Sequence, residues 1–312
     1  MSATAAPTPS SSPVAPPAPP APPGSRRGRL RLTLEMIRFS HSVFALPFAL
    51  LALVLAGEGL PSLRTLGLVL VAMIAARSAA MAFNRIVDRR FDATNPRTAT
   101  RHLVTGSLSV PFAWGFTAVS IAIFVGAAAL LNSTALALSP AVLVVLLGYS
   151  YLKRFTTAAH LGVGLALGLS PLGAWVAGAG GLVGDLRVPL LLGAAVVLWV
   201  SGFDVIYACQ DAEVDRREGL HSLPARLGVA GALQVAAWLH LLAVVSFVLV
   251  APVAGLRWPY LCAVGVASSL LLYEHTIVTP TDLSKVNVAF FNVNGLLALL
   301  VGAAGIADRL IR

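Results

Sequence analysis

Nine apolar runs of spanning or near-spanning length occupy most of the 312-residue chain and constrain its fold more than any other feature. They are Ser40–Gly57, Leu63–Phe83, Pro111–Leu131, Thr134–Tyr151, Leu161–Ala179, Val188–Ala208, Ala230–Val250, Trp258–Tyr273 and Val286–Ile306. A helix needs about 20 residues to cross a bilayer, or about 17 at the short end. Because the backbone in lipid must satisfy its hydrogen bonds internally, and barrel-like alternation is absent, each run predicts a transmembrane helix.

The composition supports an integral membrane protein with one domain. The chain is 57% hydrophobic and 11% charged, whereas soluble domains carry about 25% charged residues. Residues 1–29 begin with an Ala, Pro, Ser and Thr segment that predicts a disordered tail, and residues 30–312 form the predicted polytopic domain. Between Leu30 and His41, apolar and charged residues mix in a pattern that favours a helix lying at the membrane interface.

The distribution of basic residues predicts the orientation. The net charge of +9 alone would suggest nucleic acid. When the nine spans alternate, however, 16 of the 22 Lys and Arg fall on the side of the N-terminus and five on the other, with Arg77 inside a span. The positive-inside rule makes the 16-rich side cytoplasmic. We therefore expect a lipid bilayer as partner, in a bacterial cytoplasmic membrane, and no nucleic acid.

Two acidic motifs each follow an apolar run on this predicted cytoplasmic side. The first contains Asn84, Asp88 and Asp92, and the second contains Asp204, Tyr207, Asp211 and Asp215. Residues three or four apart share a helix face, and carboxylates beside hydrocarbon are rare and need a partner. Oxygen ligands and substrate phosphates suit Mg²⁺, so the motifs predict Mg²⁺ with a bridging diphosphate. Two solvated helix ends are the alternative, against which Arg77 and Asp204 argue because both lie inside apolar runs.

Basic side chains accompany these motifs. Tyr149 and Lys153 follow the fourth run four residues apart, and Lys binds phosphate as a compact charge. Taken alone, this pair is equally typical of a Tyr anchor and a snorkelling Lys. Arg97 and Arg101 follow the first acidic motif and suit the same anion.

The three motifs together resemble the UbiA family of intramembrane aromatic prenyltransferases, over about Arg38 to Ile306 in motif order, spacing and topology. Arg85 replaces the acid that often follows the first Asn in that family. Shorter strings, such as Ser-Gly-Phe-Asp at Ser201 and Asn-x-Asn-Gly at Asn292, resemble the subgroup labelled 4-hydroxybenzoate polyprenyltransferase. Part of that subgroup is implicated in prenylating a naphthoate in the futalosine route to menaquinone.

The resemblance implies a fold of nine transmembrane helices around a central cavity, and Mg²⁺-dependent transfer of a polyprenyl group from polyprenyl diphosphate to a ring carbon of an aromatic acid, in ubiquinone or menaquinone biosynthesis. It assigns the metal to Asn84, Asp88, Asp92, Asp211 and Asp215. The diphosphate charge falls to Lys153, Arg97 and Arg101, and the allylic cation to aromatic faces such as Tyr149, Phe203 or Tyr207.

The acceptor side is less determined by sequence. Asp204 is the first candidate to orient or deprotonate the phenol, and a role in orienting Tyr207 or an Arg is the equal alternative. Arg38 and Arg77 are candidates for the aryl carboxylate, which Arg binds bidentately. The six histidines show no metal spacing and most are expected at interfaces, and Cys209 and Cys262 are expected to be free thiols.

Other functions fit the sequence less well. A transporter would place charges near the bilayer midplane, whereas the acidic motifs cluster towards one surface. The Asp-Gly-x-x-Ala-Arg stretch of CDP-alcohol phosphotransferases is absent from the sequence. Within the family, a hydroxynaphthoate acceptor, haem farnesylation and chlorophyll-type prenylation remain alternatives. The sequence indicates neither the prenyl length nor the oligomeric state.

Overall fold

The computed structural model describes residues 26–37, 44–57 and 59–311, and over these residues the chain is helical without a β-strand. The helices are α1 (Arg26–Met36), α2 (Leu46–Ala56), α3 (Leu63–Val87), α4 (Arg89–Thr94), α5 (Val110–Leu131), α6 (Ser133–Leu152), α7 (Ala159–Ala179), α8 (Arg187–Ala208), α9 (Ala212–Arg217), α10 (Leu223–Ala254), α11 (Trp258–Ile277), α12 (Val286–Val288) and α13 (Asn294–Leu310). A π-helical turn, Ala289–Val293, joins α12 to α13. The all-α expectation is confirmed.

Eight helical segments of the described chain are long and apolar enough to cross a membrane, with α8 and α9 forming one segment, Arg187–Arg217. The first predicted span, Ser40–Gly57, contains the 11-residue helix α2, and residues 38–43 lie outside the described part. Helix α2 alone is shorter than a bilayer crossing. It lies against α7 and α13 as a buried ninth member of the bundle.

Short polar side chains set the helix starts. The Ser62, Ser109 and Ser222 side chains accept the third backbone N–H of α3, α5 and α10, which satisfies a donor that a helix start leaves unpaired. Asn132 alone separates α5 from α6: its Oδ1 accepts from Ala135 N at 2.8 Å, and its Nδ2 donates to Val176 O at 2.9 Å. The α5–α6 hairpin is thereby tied to α7.

The core is apolar, as in a water-soluble helical bundle, but the outer surface is apolar as well. Phe44, Phe48 and Trp199 are buried at the centre, in a cluster that spans α2 and α8. Large apolar side chains such as Val144 and Trp238 are exposed on the outside, where lipid covers them. The chain is an integral membrane protein.

The acidic motifs lie at the end of the bundle where α3, α6 and α8 finish, which we call the motif end. There, Arg154 Nη2 donates to Val87 O at 2.7 Å and His221 N donates to Lys153 O at 2.6 Å. At the opposite end, Arg64 Nη2 donates to Leu130 O at 2.9 Å. Alternating spans therefore bring both motifs to one side, as their parity in the sequence predicts.

The expected interfacial helix exists but begins earlier than the pattern indicated. Helix α1 starts at Arg26, inside the segment 1–29 assigned to the tail. Met36 and Ile37 are buried against Ala82 and Leu103, so the helix packs on the motif end of α3. The rest of the segment predicted as a disordered tail, residues 1–25, lies outside the described residues, and its disorder stays a prediction.

Candidate active site

One cavity of about 730 Å³ joins the membrane interior of the bundle to the motif end. Apolar side chains from α3, α6 and α7 line its inner part, including Val69, Leu138 and Leu167. Its polar lining consists largely of residues that the sequence singled out: Arg77, Asn84, Asp88, Arg97, Tyr149, Lys153, Asp204, Tyr207 and Asp211. The cavity is thus apolar in its inner part and polar at the motif end.

The remaining candidates lie elsewhere. Asp92, Arg101 and Asp215 are outside the cavity lining. Asp215 contacts the lining residue Lys153, and Arg101 contacts Asp92. Arg38 lies outside the described residues, so its assignment to the aryl carboxylate stays a prediction. The cavity therefore includes some of the predicted site residues directly and leaves these four to be considered separately.

The first motif does not continue as one helix. Helix α3 ends at Val87, and Asp88, with φ −87° and ψ 2°, separates it from α4. This break places Asp88 in the cavity lining and Asp92 behind it. Asn84 Nδ2 donates to Asp88 Oδ2 at 2.7 Å. Burial raises the pKa of the Asp88 carboxyl, and the charge of Asp92 raises it further.

Asp92 is held by the loop that follows α4. The Arg101 guanidinium forms an ion pair with its carboxylate, and the Thr98 hydroxyl donates to its backbone oxygen at 3.0 Å. Arg101 was expected at the diphosphate, but in this structure its partner is the motif carboxylate itself. The loop is therefore anchored to the first acidic motif.

The second motif is also interrupted, by a 3₁₀ turn over Cys209–Asp211. Asp211 accepts hydrogen bonds from Asn95 Nδ2 and Arg97 Nε, both at 2.8 Å, and a further contact from Arg97 Nη2. Arg97 Nη1 donates to the Tyr207 hydroxyl at 2.9 Å, and the guanidinium lies 5.0 Å from the Tyr207 ring centroid. Burial lowers the pKa of Arg97, but the bonds to Asp211 outweigh it and the pKa is raised.

Lys153 connects the third motif to the second. Its Nζ lies 3.4 Å from Asp215 Oδ2, and Lys153 itself lines the cavity. Burial disfavours the charged amine, but the charges of Asp215, Asp204 and Asp211 outweigh burial and raise the Lys153 pKa. Lys153 therefore stays cationic at neutral pH.

The four motif carboxylates are each paired with a cation, Asp88 most loosely, since Arg154 Nη2 lies 3.9 Å from it. Among the described residues, no three His, Cys, Asp or Glu side chains are gathered around a common metal position. The donor chemistry nevertheless fits a hard divalent cation, because carboxylate and amide oxygens from two helix ends border one cavity. The set therefore fits Mg²⁺ by donor type.

Two residues at the site carried no sequence signal strong enough to single them out. Asn95, three residues beyond Asp92, binds Asp211, and its only hint was an Asn-Pro-Arg turn within the basic loop. His160 was grouped with histidines expected mostly at interfaces, yet it is 1% exposed and its Nδ1 lies 2.7 Å from Asp204 Oδ2. Within the described part of the chain, Asp204 thus forms no hydrogen bond or ion pair with Tyr207 or an Arg, the partners weighed for it from the sequence.

Aromatic side chains border the cavity beside the polar groups. The Tyr207 and Phe290 ring centroids are 4.5 Å apart, and Phe203 and Phe290 are 5.1 Å apart. All three residues line the cavity. Their arrangement gives a continuous aromatic wall between the acidic motifs and the apolar interior.

Comparison with known proteins identifies the family. Residues 45–296 match the model of the UbiA prenyltransferase family. The chain is 35% identical to a 4-hydroxybenzoate octaprenyltransferase of Xanthomonas campestris, over 81% of this chain and 83% of that protein. It is 28% identical to a protein of the same description from Photobacterium profundum, over 85% of this chain and 93% of that protein.

Solved structures agree. The apo structure of a UbiA homolog from Aeropyrum pernix superimposes with a TM-score of 0.78 at 36% identity, covering 86% of this chain and 98% of that one. A UbiA homolog from Archaeoglobus fulgidus bound to GPP and Mg²⁺ shares the fold at 21% identity, with a TM-score of 0.67 over 89% of this chain and 98% of that one. The chain belongs to the UbiA prenyltransferase family and is a prenyltransferase. The alternative that it is a transporter is therefore wrong.

Proposed function

We propose that the protein transfers a polyprenyl group from polyprenyl diphosphate to a ring carbon of an aromatic acid of the 4-hydroxybenzoate type, with Mg²⁺, in quinone biosynthesis. The observation that carries the proposal is the cavity that joins an apolar interior to both acidic motifs and to Arg77. The description shared by the bacterial relatives supports the acceptor. The complex of the archaeal homolog with GPP and Mg²⁺ supports the donor and the metal.

The donor binds with its diphosphate at the motif end and its isoprenoid tail along the apolar lining. Asp88, Asp92, Asp211 and Asp215, assisted by Asn84, would hold the Mg²⁺. When bound, Mg²⁺ neutralises the diphosphate and polarises its oxygens. Lys153 and Arg97, which line the cavity, bind the remaining negative charge, with Arg101 supporting them from the loop.

Transfer begins with cleavage of the bond between the allylic carbon and the diphosphate oxygen. The electron pair leaves with the diphosphate, where Lys153 and Arg97 stabilise the developing charge. The wall of Phe203, Tyr207 and Phe290, together with Tyr149 on the same cavity lining, stabilises the allylic cation through its ring faces. The same wall keeps out water, which would otherwise capture the cation.

The acceptor lies between the cation and Asp204. The Arg77 guanidinium, with Arg38 as its predicted companion, binds the aryl carboxylate. Asp204 takes the proton of the phenol hydroxyl, and the ring carbon beside that hydroxyl forms the new bond to the allylic carbon. Loss of the proton from that ring carbon, with return of a proton to the oxygen, restores the aromatic ring. The balance is one prenylated phenol, one diphosphate and one proton.

Orientation in the membrane belongs to the same proposal. The motif end carries the greater share of the Lys and Arg residues in the sequence, so it lies at the cytoplasmic face of the bacterial inner membrane. Water-soluble aromatic acid and released diphosphate then enter and leave from the cytoplasm, while the isoprenoid remains in lipid.

The acceptor class is tested with purified protein in detergent or nanodiscs. Geranyl diphosphate and Mg²⁺ are supplied with 4-hydroxybenzoate and a hydroxynaphthoate in competition, and the products are identified by mass spectrometry. We expect prenylated hydroxybenzoate to predominate. Predominance of prenylated naphthoate would move the protein to the futalosine-route alternative.

A further inference from the structure

Asp204 contacts the cavity on one side and a buried histidine on the other. It lines the cavity with 23% of its side chain exposed, whereas His160 is 1% exposed and is absent from the cavity lining. His160 Nδ1 lies 2.7 Å from Asp204 Oδ2. Among the described residues, no hydrogen bond reaches the other carboxylate oxygen, Oδ1. The carboxylate thus has one oxygen in use and one available to a ligand.

Which group donates in the His160–Asp204 hydrogen bond is determined by the contact of the other imidazole nitrogen, Nε2. Leu223, the first residue of α10, donates its backbone N–H to His160 Nε2 at 3.3 Å. Helix starts leave such N–H groups without intrahelical partners. Because Nε2 accepts a hydrogen bond, the ring proton lies on Nδ1 and is donated to Asp204. The ring is fixed at both nitrogens.

Close packing of α7 on α8 fixes the backbone of this pair. A Cβ at Gly164 would lie 2.3 Å from Ser201 Oγ and 2.4 Å from Val197 O, and a Cβ at Gly168 would lie 2.8 Å from Gly193 O. Only glycine allows the helices to approach this closely. Ser201 Oγ also reaches the His160 backbone oxygen at 3.2 Å. The Asp204 and His160 backbones therefore have little freedom to separate.

Asp204 has a competing partner within electrostatic reach. Its charge is one of those that raise the Lys153 pKa, so the Lys153 ammonium attracts the carboxylate. A carboxylate turned to Lys153 would occupy a diphosphate-binding cation and would no longer face the acceptor. The bond from His160 opposes this rotation.

We propose that His160 is a positioning residue that holds Asp204 Oδ2 so that Oδ1 meets the acceptor hydroxyl. This inference rests on the proposed function, in which Asp204 takes the phenol proton. His160 acts only through Asp204 and contacts neither the donor nor the acceptor. A misplacement of about 1 Å in such a group can cost about a hundredfold in rate.

The test compares His160→Leu, His160→Asn, Asp204→Asn and the double variant His160→Leu/Asp204→Asn, with geranyl diphosphate and 4-hydroxybenzoate. The side-chain amide of the Asn variant can donate in place of Nδ1–H. His221→Asn is the matched control, because its side chain is exposed and its bond to Lys153 uses the backbone N–H. Binding of a non-ionising geranyl thiolodiphosphate and thermal stability in detergent are measured alongside.

We expect His160→Leu to lower kcat by at least about tenfold with unchanged analogue affinity, His160→Asn to recover most of the loss, and the double variant to be no slower than Asp204→Asn. A double variant whose loss of kcat is the product of the two single losses, or full activity of His160→Leu, would overturn the role of His160. The proposed function would be unaffected by either result. A parallel loss of stability and analogue affinity that His160→Asn does not rescue would also overturn that role, since that pattern marks a purely structural residue.

A second readout needs no turnover. In protein labelled with ¹⁵N-histidine, we expect a slowly exchanging His160 Nδ1–H signal that shifts in Asp204→Asn. A protonated Nε2 or a signal indifferent to Asp204→Asn would contradict the contact itself. If wild-type enzyme made no prenylated aromatic acid while this signal behaved as expected, the proposed function would fail and the catalytic inference with it, but the contact would stand.

Discussion

Arg97 and Asp211, 114 residues apart in the chain, are joined through two guanidinium nitrogens, with Arg97 Nε at 2.8 Å from Asp211 Oδ1. The contact places the loop after α4 against the end of α8 and links the halves of the chain that carry the two acidic motifs. Arg97 also donates to Tyr207 on the cavity wall. The loop thus neutralises a carboxylate that is one of the proposed Mg²⁺ ligands.

Arg97 should matter most for the donor. Arg97→Leu removes a charge-assisted donor from the cavity, and such bonds contribute about 1.5–3 kcal/mol, so analogue affinity should fall at least about tenfold. Arg97→Lys should lose less, because the charge remains while the bidentate geometry is lost. Calorimetric titration with geranyl thiolodiphosphate measures this. Arg90→Leu, at an exposed neighbour, is the control, and equal losses in both variants would refute a specific role.

The two acidic motifs should be required together with the metal. Asp88→Asn and Asp211→Asn should each lower prenyl transfer at least about a hundredfold, as expected for loss of a preorganised electrostatic contact. EDTA should abolish activity and Mg²⁺ should restore it. The control is Asp185→Asn, which breaks an exposed ion pair with Arg187 between α7 and α8. Undiminished turnover in both motif variants would rule out the assignment of Asp88 and Asp211 as metal ligands.

Arg77 should separate acceptor binding from donor binding. It lines the cavity on α3, two turns before Asn84, and the proposed function assigns the diphosphate to other cations, Lys153 and Arg97. Arg77→Leu should therefore raise the KM for 4-hydroxybenzoate with little change in analogue affinity. Arg64→Leu, on the same helix at the opposite end of the bundle, provides the control. A fall in analogue affinity with an unchanged acceptor KM would place Arg77 at the donor.

Helix periodicity and charge parity predicted much of this site, because they depend on spacing along single helices. Asn84, Asp88 and Asp211 meet at one cavity with Tyr149 and Lys153, as those spacings indicated. Periodicity could not predict the break at Asp88 or the 3₁₀ turn before Ala212, which depend on how the helix ends pack.

Contacts between segments distant in the sequence could not be predicted from helix periodicity either. The bond from Asn95 to Asp211 spans 116 residues, and the bond from His160 to Asp204 depends on glycine packing between α7 and α8. An isolated Asn or His carries no periodic signal of such a partner. For the same reason, the sequence indicated a cation at Arg101 that suits the diphosphate but did not identify its ion pair with Asp92.

The orientation can be tested by labelling introduced cysteines. Cys209 is buried and Cys262 is exposed, so both are first replaced by Ser. A membrane-impermeant maleimide should label Asp185→Cys in intact spheroplasts, and should label Glu213→Cys only after the membrane is opened. Both positions are exposed and lie at opposite ends of the bundle. The reverse pattern would place the motif end outside the cytoplasm.

The central claim is that one cavity performs carbon prenylation of a hydroxylated aromatic acid. Its most direct test is to characterise by NMR the product that purified protein forms from geranyl diphosphate, Mg²⁺ and ring-¹³C-labelled 4-hydroxybenzoate, while released diphosphate is quantified. We expect a new carbon–carbon bond at the ring position beside the hydroxyl and one diphosphate per product. Attachment at oxygen, or diphosphate release with only geraniol formed, would contradict the account.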